Sequence, residues 1–342
     1  MIGKTDGFRP RSFRPAVWLP GPHAQTIAGR LLRRTKPPPF ARERIELPDR
    51  DFVDIDHPAF DGPPDAPVVL LMHGLEGSAR RGYAVNTYRE LAARGMRAVG
   101  LNFRSCSGES NRNPRFYHSG DTGDALFVLR LLTTRYPNVP RGAVGFSLGG
   151  NVLLKLLGEL GNDARHLVNA AVAVSVPYDL AAGADALDGT RMGRFYTARF
   201  LVSLIAKAEA KAALIGDKCD LARIRAARSF RDFDDAATAP MHGFDSAADY
   251  YARSSSRAFL QLIRIPTLLL HAADDPFLPG ASFPRAEAAV NPFLYAVVTP
   301  RGGHVGFIEG LPWAVRFWAE EQAAEFLARG LGSGPTGRAD GE

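Results

Sequence analysis

A serine set in Gly145-Phe146-Ser147-Leu148-Gly149 can attack an acyl carbon, provided that a base and a site for negative charge lie within reach. Alone it is a poor nucleophile, because its hydroxyl stays protonated at neutral pH. Glycines two residues before and after it suit a sharp strand-to-helix turn, across which any side chain would collide. The flanking pattern agrees: an apolar run (GAVGF) leads into the serine and a helix-like run (GGNVLLKLLGEL) leaves it. In elbows of this kind an acid and then a histidine follow the serine along the chain. The downstream histidines are His166, His242, His271 and His304. His304 lies in PRGGHVGFIE, a glycine-flanked loop between the last strand and the C-terminal helix, from which an imidazole can swing over the sheet edge. His271 falls inside a strand pattern and His242 in a helical insertion, and His166 has no matching acid, so all three read as structural. The acid is expected in LLLHAADDPFLP, where Asp275, directly before Pro276, is favoured over Asp274. Its role would be to accept the His304 N–H, fix the tautomer and stabilise the imidazolium.

Charge developing on a carbonyl oxygen needs preorganised donors. One is the Leu148 N–H, just after the serine. The other is expected from VVLLMHGLEGS, where the Leu75 N–H is the best candidate and His73 braces the loop. A carboxylate nucleophile is excluded, since serine occupies the elbow. Neither HExxH nor a cysteine–histidine spacing occurs, so no metal is implied. GxGxxG and GxxxxGK[ST] are also missing, so no nucleotide or other cofactor is implied. Cys106 reads as a small packed residue.

The chain must supply a scaffold for these groups. Its 342 residues are 46% hydrophobic and 23% charged, an ordinary globular composition. Short β-branched runs fall at 51–57, 68–73, 98–103, 143–146, 170–176, 267–272 and 294–299. Amphipathic stretches of helical length lie between several of them, at 83–94, 121–136 and 149–160, and a last one spans 313–329. Alternating strands and helices predict an α/β fold with a mostly parallel central sheet flanked by helices. The expected organisation is a Pro/Arg-rich irregular arm over 1–45, with one short helix near 25–34, and a core over 46–178 and 263–329. Residues 179–262 form a helical cap insertion and 330–342 a disordered tail. Phe195, Tyr196, Phe200, Leu201, Tyr250 and Tyr251 of the cap either line an apolar pocket or form the cap's own core.

The net charge of +6 comes mainly from arginine spread along the chain. No nucleic-acid module accompanies it; a weak peripheral affinity for a membrane surface stays open. No apolar run is long enough for an integral membrane segment. With two cysteines far apart and no signal-peptide pattern, the expected location is the cytoplasm.

Beyond the elbow, the sequence resembles the YheT-like branch of the α/β-hydrolase fold proteins. The resemblance runs through PGPHAQTIAG (20–29), HGLEGSARRGY (73–83), NFRSCSGESN (102–111), FYHSGDTGD (116–124), GFSLGGNVLLKLLGE (145–159), SVPYDL (175–180), ADDPFLP (273–279) and GGHVGFIEG (302–310). It implies the α/β-hydrolase fold and hydrolysis of carboxylic esters on a small-molecule or lipid-like substrate by Ser147, His304 and Asp275. An acyltransferase using the same three residues, and a non-catalytic binding protein of the same fold, are the alternatives. Ser105 departs from the pattern, which has glycine there.

Overall fold

The computed structural model describes residues 7–333. Its main sheet has eight strands in the order β1-β2-β4-β3-β5-β6-β7-β8. These are β1 (Phe40–Glu46), β2 (Phe52–Pro58), β3 (Val68–Met72), β4 (Arg97–Asn102), β5 (Arg141–Phe146), β6 (Ala170–Val174), β7 (Thr267–Ala272) and β8 (Leu294–Thr299). From β4 to β8 all neighbours pair in parallel, whereas β1 and β2 join antiparallel at one edge. The central strands β3, β5 and β6 are buried along their whole length, as their unbroken apolar sequences require.

β1 lies within residues expected to be irregular, and the physical reason is charge. Opposite each other in register stand Arg42 and Asp56, and Arg44 and Asp54. Both arginines grip their carboxylates through two nitrogens, at 2.9–3.1 Å. The strand is therefore held by cross-strand ion pairs, and a search for apolar alternation passes over it.

Helix α1 (Pro22–Leu32) precedes the sheet, and α2 (Gly82–Ala92), α3 (Gly123–Arg135) and α4 (Leu148–Leu160) connect its strands. α3 and α4 pack on one face, through Val128, Leu129, Val152 and Leu156. α2 and the C-terminal helix Trp318–Leu331 cover the other, through Tyr88, Leu91, Trp318 and Phe326. That last helix begins five residues later than the sequence suggests, because a hairpin of β9 (Ile308–Leu311) and β10 (Ala314–Phe317) precedes it. It also continues to Leu331, so the first residues of the tail expected over 330–342 are helical, and 334–342 lie outside the described residues.

Between β6 and β7 the chain runs through helices, including α5 (Leu180–Asp188), α6 (Arg191–Ala210) and the helix Ala247–Ser254. Leu201 packs into a separate cluster with Ala208, Ile215 and Phe233. No helix among the described residues is long and apolar enough to cross a membrane.

Candidate active site

Ser147 sits between β5 and α4 with φ 52° and ψ −120°, a left-handed conformation that costs a non-glycine residue roughly 1–3 kcal/mol. The surroundings hold it there. Its N–H donates to the Val174 carbonyl at 2.8 Å, and its own carbonyl accepts from Asn151. A Cβ on Gly145 would stand 2.4 Å from the Gly149 oxygen, and one on Gly149 would stand 2.5 Å from the Met72 oxygen. Both glycines are thus imposed by close backbone approach.

The structure brings together the three side chains expected to act as a unit. Ser147 Oγ lies 2.9 Å from His304 Nε2, and His304 Nδ1 lies 2.8 Å from Asp275 Oδ2. Oδ1 of the same carboxylate accepts the Phe277 N–H at 2.9 Å, so both of its oxygens are engaged. Phe277 also stacks on the imidazole, ring centroids 4.3 Å apart. Asp274, the rival acid, instead accepts the Gly303 N–H at 2.9 Å and so braces the histidine loop from below. Burial pushes the Asp274 carboxyl above its ordinary pKa.

Among the described residues, the Leu75 and Leu148 N–H groups meet no protein acceptor, and both residues line the cavity above Ser147. The Leu148 N–H also opens α4, whose dipole favours negative charge at that end. The loop carrying Leu75 is held on several sides. His73 Nε2 accepts from the Phe103 N–H at 3.2 Å, which leaves the proton on Nδ1 to be donated to the Gly74 carbonyl at 2.8 Å. Full burial drives the His73 pKa down to about 3, so it stays neutral and serves as a brace. Glu76, with φ 53°, donates its N–H to Tyr117 Oη at 2.8 Å. Its carboxylate accepts from Tyr117 Oη at 3.0 Å and from Lys207 Nζ of α6 at 2.7 Å.

Several supports have no counterpart in the reading of the elbow and its partners. Thr26 Oγ1 of α1 accepts the His304 N–H at 2.9 Å, and Gln25 clasps the Ile308 backbone through both ends of its amide. A Cβ on Gly303 would stand 2.5 Å from the Pro22 oxygen, so that glycine admits the helix. Val305 and Phe307, with φ of 53° and 46°, carry strain in the loop, and Ser175 Oγ accepts the Val305 N–H at 3.1 Å. In the sequence these residues fall in PGPHAQTIAG, SVPYDL and GGHVGFIEG, stretches that carry the resemblance but whose spacing gives no sign that they touch. Ser105, where the resemblance leads to an expected glycine, is left-handed too, at φ 60°. Its hydroxyl donates to Asn111 Oδ1 at 2.6 Å and accepts the Asn111 N–H at 3.1 Å, which holds the turn without glycine.

The remaining histidines stay apart from Ser147 in role. His271 is buried in β7, and His166 is exposed. His242 lines the far cavity wall, its ring 4.5 Å from that of His118, and burial takes both down to about pKa 3. Cys106 is buried and its thiol is pushed up to about 11, which keeps it protonated.

Above the site lies a cavity of about 1250 Å³ lined by Ser147, Leu148, Leu75 and His304 below and by the β6–β7 insertion above. Of the aromatic candidates, Phe195, Tyr196, Phe200, Tyr250 and Tyr251 line it; Leu201 does not, being part of the insertion's own core. Among the described residues no cluster of three or more histidine, cysteine or acidic side chains could hold a metal.

Residues 67–311 match the family model for the alpha/beta hydrolase fold. The chain is 40% identical to YheT of Escherichia coli (strain K12), a protein named as an esterase, over 89% of this chain and 89% of that one. It is 30% identical to the phospholipase ABHD3 of Mus musculus, over 88% of this chain and 74% of that one. Among solved structures, the Pyrococcus furiosus esterase Pf2001 superposes with a TM-score of 0.56 at 17% identity, covering 95% of this chain and 99% of the other, a likeness of fold.

Proposed function

The chain belongs to the α/β-hydrolase fold family, in its YheT-like branch, and on that premise we propose that it is a serine esterase cleaving carboxylic esters with short- to medium-chain acyl groups or lipid-like esters. The relay Asp275–His304–Ser147 at 2.8 and 2.9 Å carries the reading. Ser147 Oγ attacks the ester carbon as its proton passes to His304 Nε2, and the Nδ1–H stays donated to Asp275. The carbonyl oxygen, now negative, takes the Leu75 and Leu148 N–H groups. When the tetrahedral species collapses, the bond to the alkoxy oxygen breaks and His304 returns the proton to the leaving alcohol. A water then repeats the sequence on the acyl-serine, with His304 again as base, and releases the acid. Residues 179–262 act as a cap whose aromatic inner wall receives the acyl chain. The two free, buried cysteines fit a reducing compartment, the cytoplasm.

The test is hydrolysis of p-nitrophenyl esters from acetate to dodecanoate by the wild type and by Ser147→Ala. Removing the nucleophile is expected to lower turnover by about three or more orders of magnitude on every chain length. Near-wild-type activity in folded Ser147→Ala protein would overturn the assignment.

A further inference from the structure

The rim of the cavity has a composition of its own. Four large apolar side chains that line it stand exposed to solvent: Ile27 (41%), Leu31 (59%), Phe195 (54%) and Val202 (71%). Isolated exposed apolar residues are ordinary, but a group of them around one opening is not. Ile27 and Leu31 are one turn apart on α1, and Phe195 and Val202 two turns apart on α6. Each pair therefore shares a helix face. His23 Nδ1 lies 3.1 Å from Tyr196 Oη and ties the two helices together at the entrance.

Arginines interleave with these side chains. Arg30 falls between Ile27 and Leu31 on the α1 face, and Arg199 between Phe195 and Val202 on the α6 face; both are exposed and both line the opening. Among the described residues neither pairs with an acid. The acids that line the cavity are already held, Glu76 by Lys207 and Asp234 by Thr238 and Tyr251. The rim thus presents apolar side chains and uncompensated positive charge together.

This combination selects the occupant. A second copy of the chain, docked through the same patch about a two-fold axis, would set arginines against arginines with no acid to receive them. An anionic phospholipid surface answers both features, since headgroup phosphates pair with arginine while aliphatic side chains enter the headgroup–acyl boundary. The opening also leads straight into an aromatic-lined cavity, which a molecule leaving such a surface could enter without crossing water. We infer that the α1–α6 rim docks the protein on anionic phospholipid membranes, with the cavity mouth facing the lipid. This goes beyond the esterase reading and does not depend on Ser147.

Cosedimentation of the full chain with vesicles tests it, using phosphatidylcholine alone or mixed with phosphatidylglycerol. The wild type is expected to sediment with the mixed vesicles at low salt, to release as salt rises, and to ignore pure phosphatidylcholine. Arg30→Ser and Arg199→Ser should each weaken binding about fivefold. Leu31→Asp with Val202→Asp, both on exposed positions, should abolish it, and Ser147→Ala should bind as wild type does. Wild-type protein left in the supernatant at low salt, equal binding to both vesicle types, or rim variants that sediment like wild type would each overturn the inference. So would a wild-type dimer in gel filtration that the rim substitutions dissolve. Hydrolysis of a water-soluble ester without vesicle binding refutes the docking alone; vesicle binding without hydrolysis refutes the esterase reading alone.

Discussion

Asparagine at position 275 would remove a charge and one acceptor while keeping the shape of the side chain. The carboxylate accepts twice, from His304 Nδ1 at 2.8 Å and from the Phe277 N–H at 2.9 Å, and is fully buried. An amide offers one oxygen and one NH₂, so it cannot accept at both places. If its oxygen keeps the Phe277 N–H, the NH₂ faces Nδ1 and is satisfied only when Nδ1 carries no proton. The proton then sits on Nε2, pointing at Ser147, and the base is lost. If the amide turns over, its NH₂ opposes the Phe277 N–H, donor against donor, at a cost of about 1–3 kcal/mol. Losing the charge-assisted bond that steadies the imidazolium adds about 1.5–3 kcal/mol. Together these predict a fall in kcat/KM of about two to four orders of magnitude for Asp275→Asn.

Asp274→Asn supplies the contrast. The Gly303 N–H needs only an acceptor, which the amide oxygen provides, and burial already disfavours the charge there. Its kcat/KM should stay within about tenfold of wild type. The assay is p-nitrophenyl butyrate hydrolysis, with circular dichroism to verify folding. An Asp274→Asn loss equal to that of Asp275→Asn, or an Asp275→Asn enzyme within tenfold of wild type, would refute the assignment of the acid.

Two further perturbations follow from the cavity walls. Lys207→Met removes the cation that fixes Glu76 beside the Leu75 N–H; because the role proposed for that donor is to hold the developing oxyanion, kcat should drop about tenfold with KM little changed. Lys207→Arg should recover most of the loss, and a change confined to thermal stability would show that the pair has no positioning role. Burial raises the Asp234 carboxyl to about 6, above its ordinary value of 3.8, so the folded state holds this proton more tightly than the unfolded one. The resulting penalty is nil below about pH 4, grows between about 4 and 6, and is complete above 6, at about 3 kcal/mol. Asp234→Asn should therefore raise the melting temperature at pH 8 and leave it nearly unchanged at pH 4; an equal shift at both would contradict the assignment.

The sequence makes some parts of this molecule easy to read and others opaque, for physical reasons. β3, β5, β6 and β7 are buried on both faces, so each is an unbroken apolar run that announces itself. β1 is stabilised by Arg42–Asp56 and Arg44–Asp54 across the strands, and such partners become visible only once the register is known. The β9–β10 hairpin, four residues a side, hides for another reason: β10 falls inside the helical pattern of 313–329, and β9 continues the glycine-flanked histidine loop. At the site the same division holds. Ser147, Asp275 and His304 each occupy a tight turn whose backbone demands glycine or proline nearby, so local sequence marks them.

The groups that hold those turns in place follow no local rule. Thr26 meets the His304 N–H across 278 residues of chain, and Lys207 meets Glu76 across 131. Neither a threonine in a short helix nor a lysine in a longer one differs by spacing from its neighbours. Their contacts nonetheless bear on the strained positions: α1 rests on the loop where Val305 and Phe307 are left-handed, and α6 on the loop where Glu76 is. Strain of this kind persists only where surrounding contacts over-determine the backbone. The N-terminal helix and the insertion therefore belong to the mechanical frame of the site. The same two helices also form its entrance, so a ligand or surface that moved α1 or α6 would act on the His304 loop and the Leu75 loop directly.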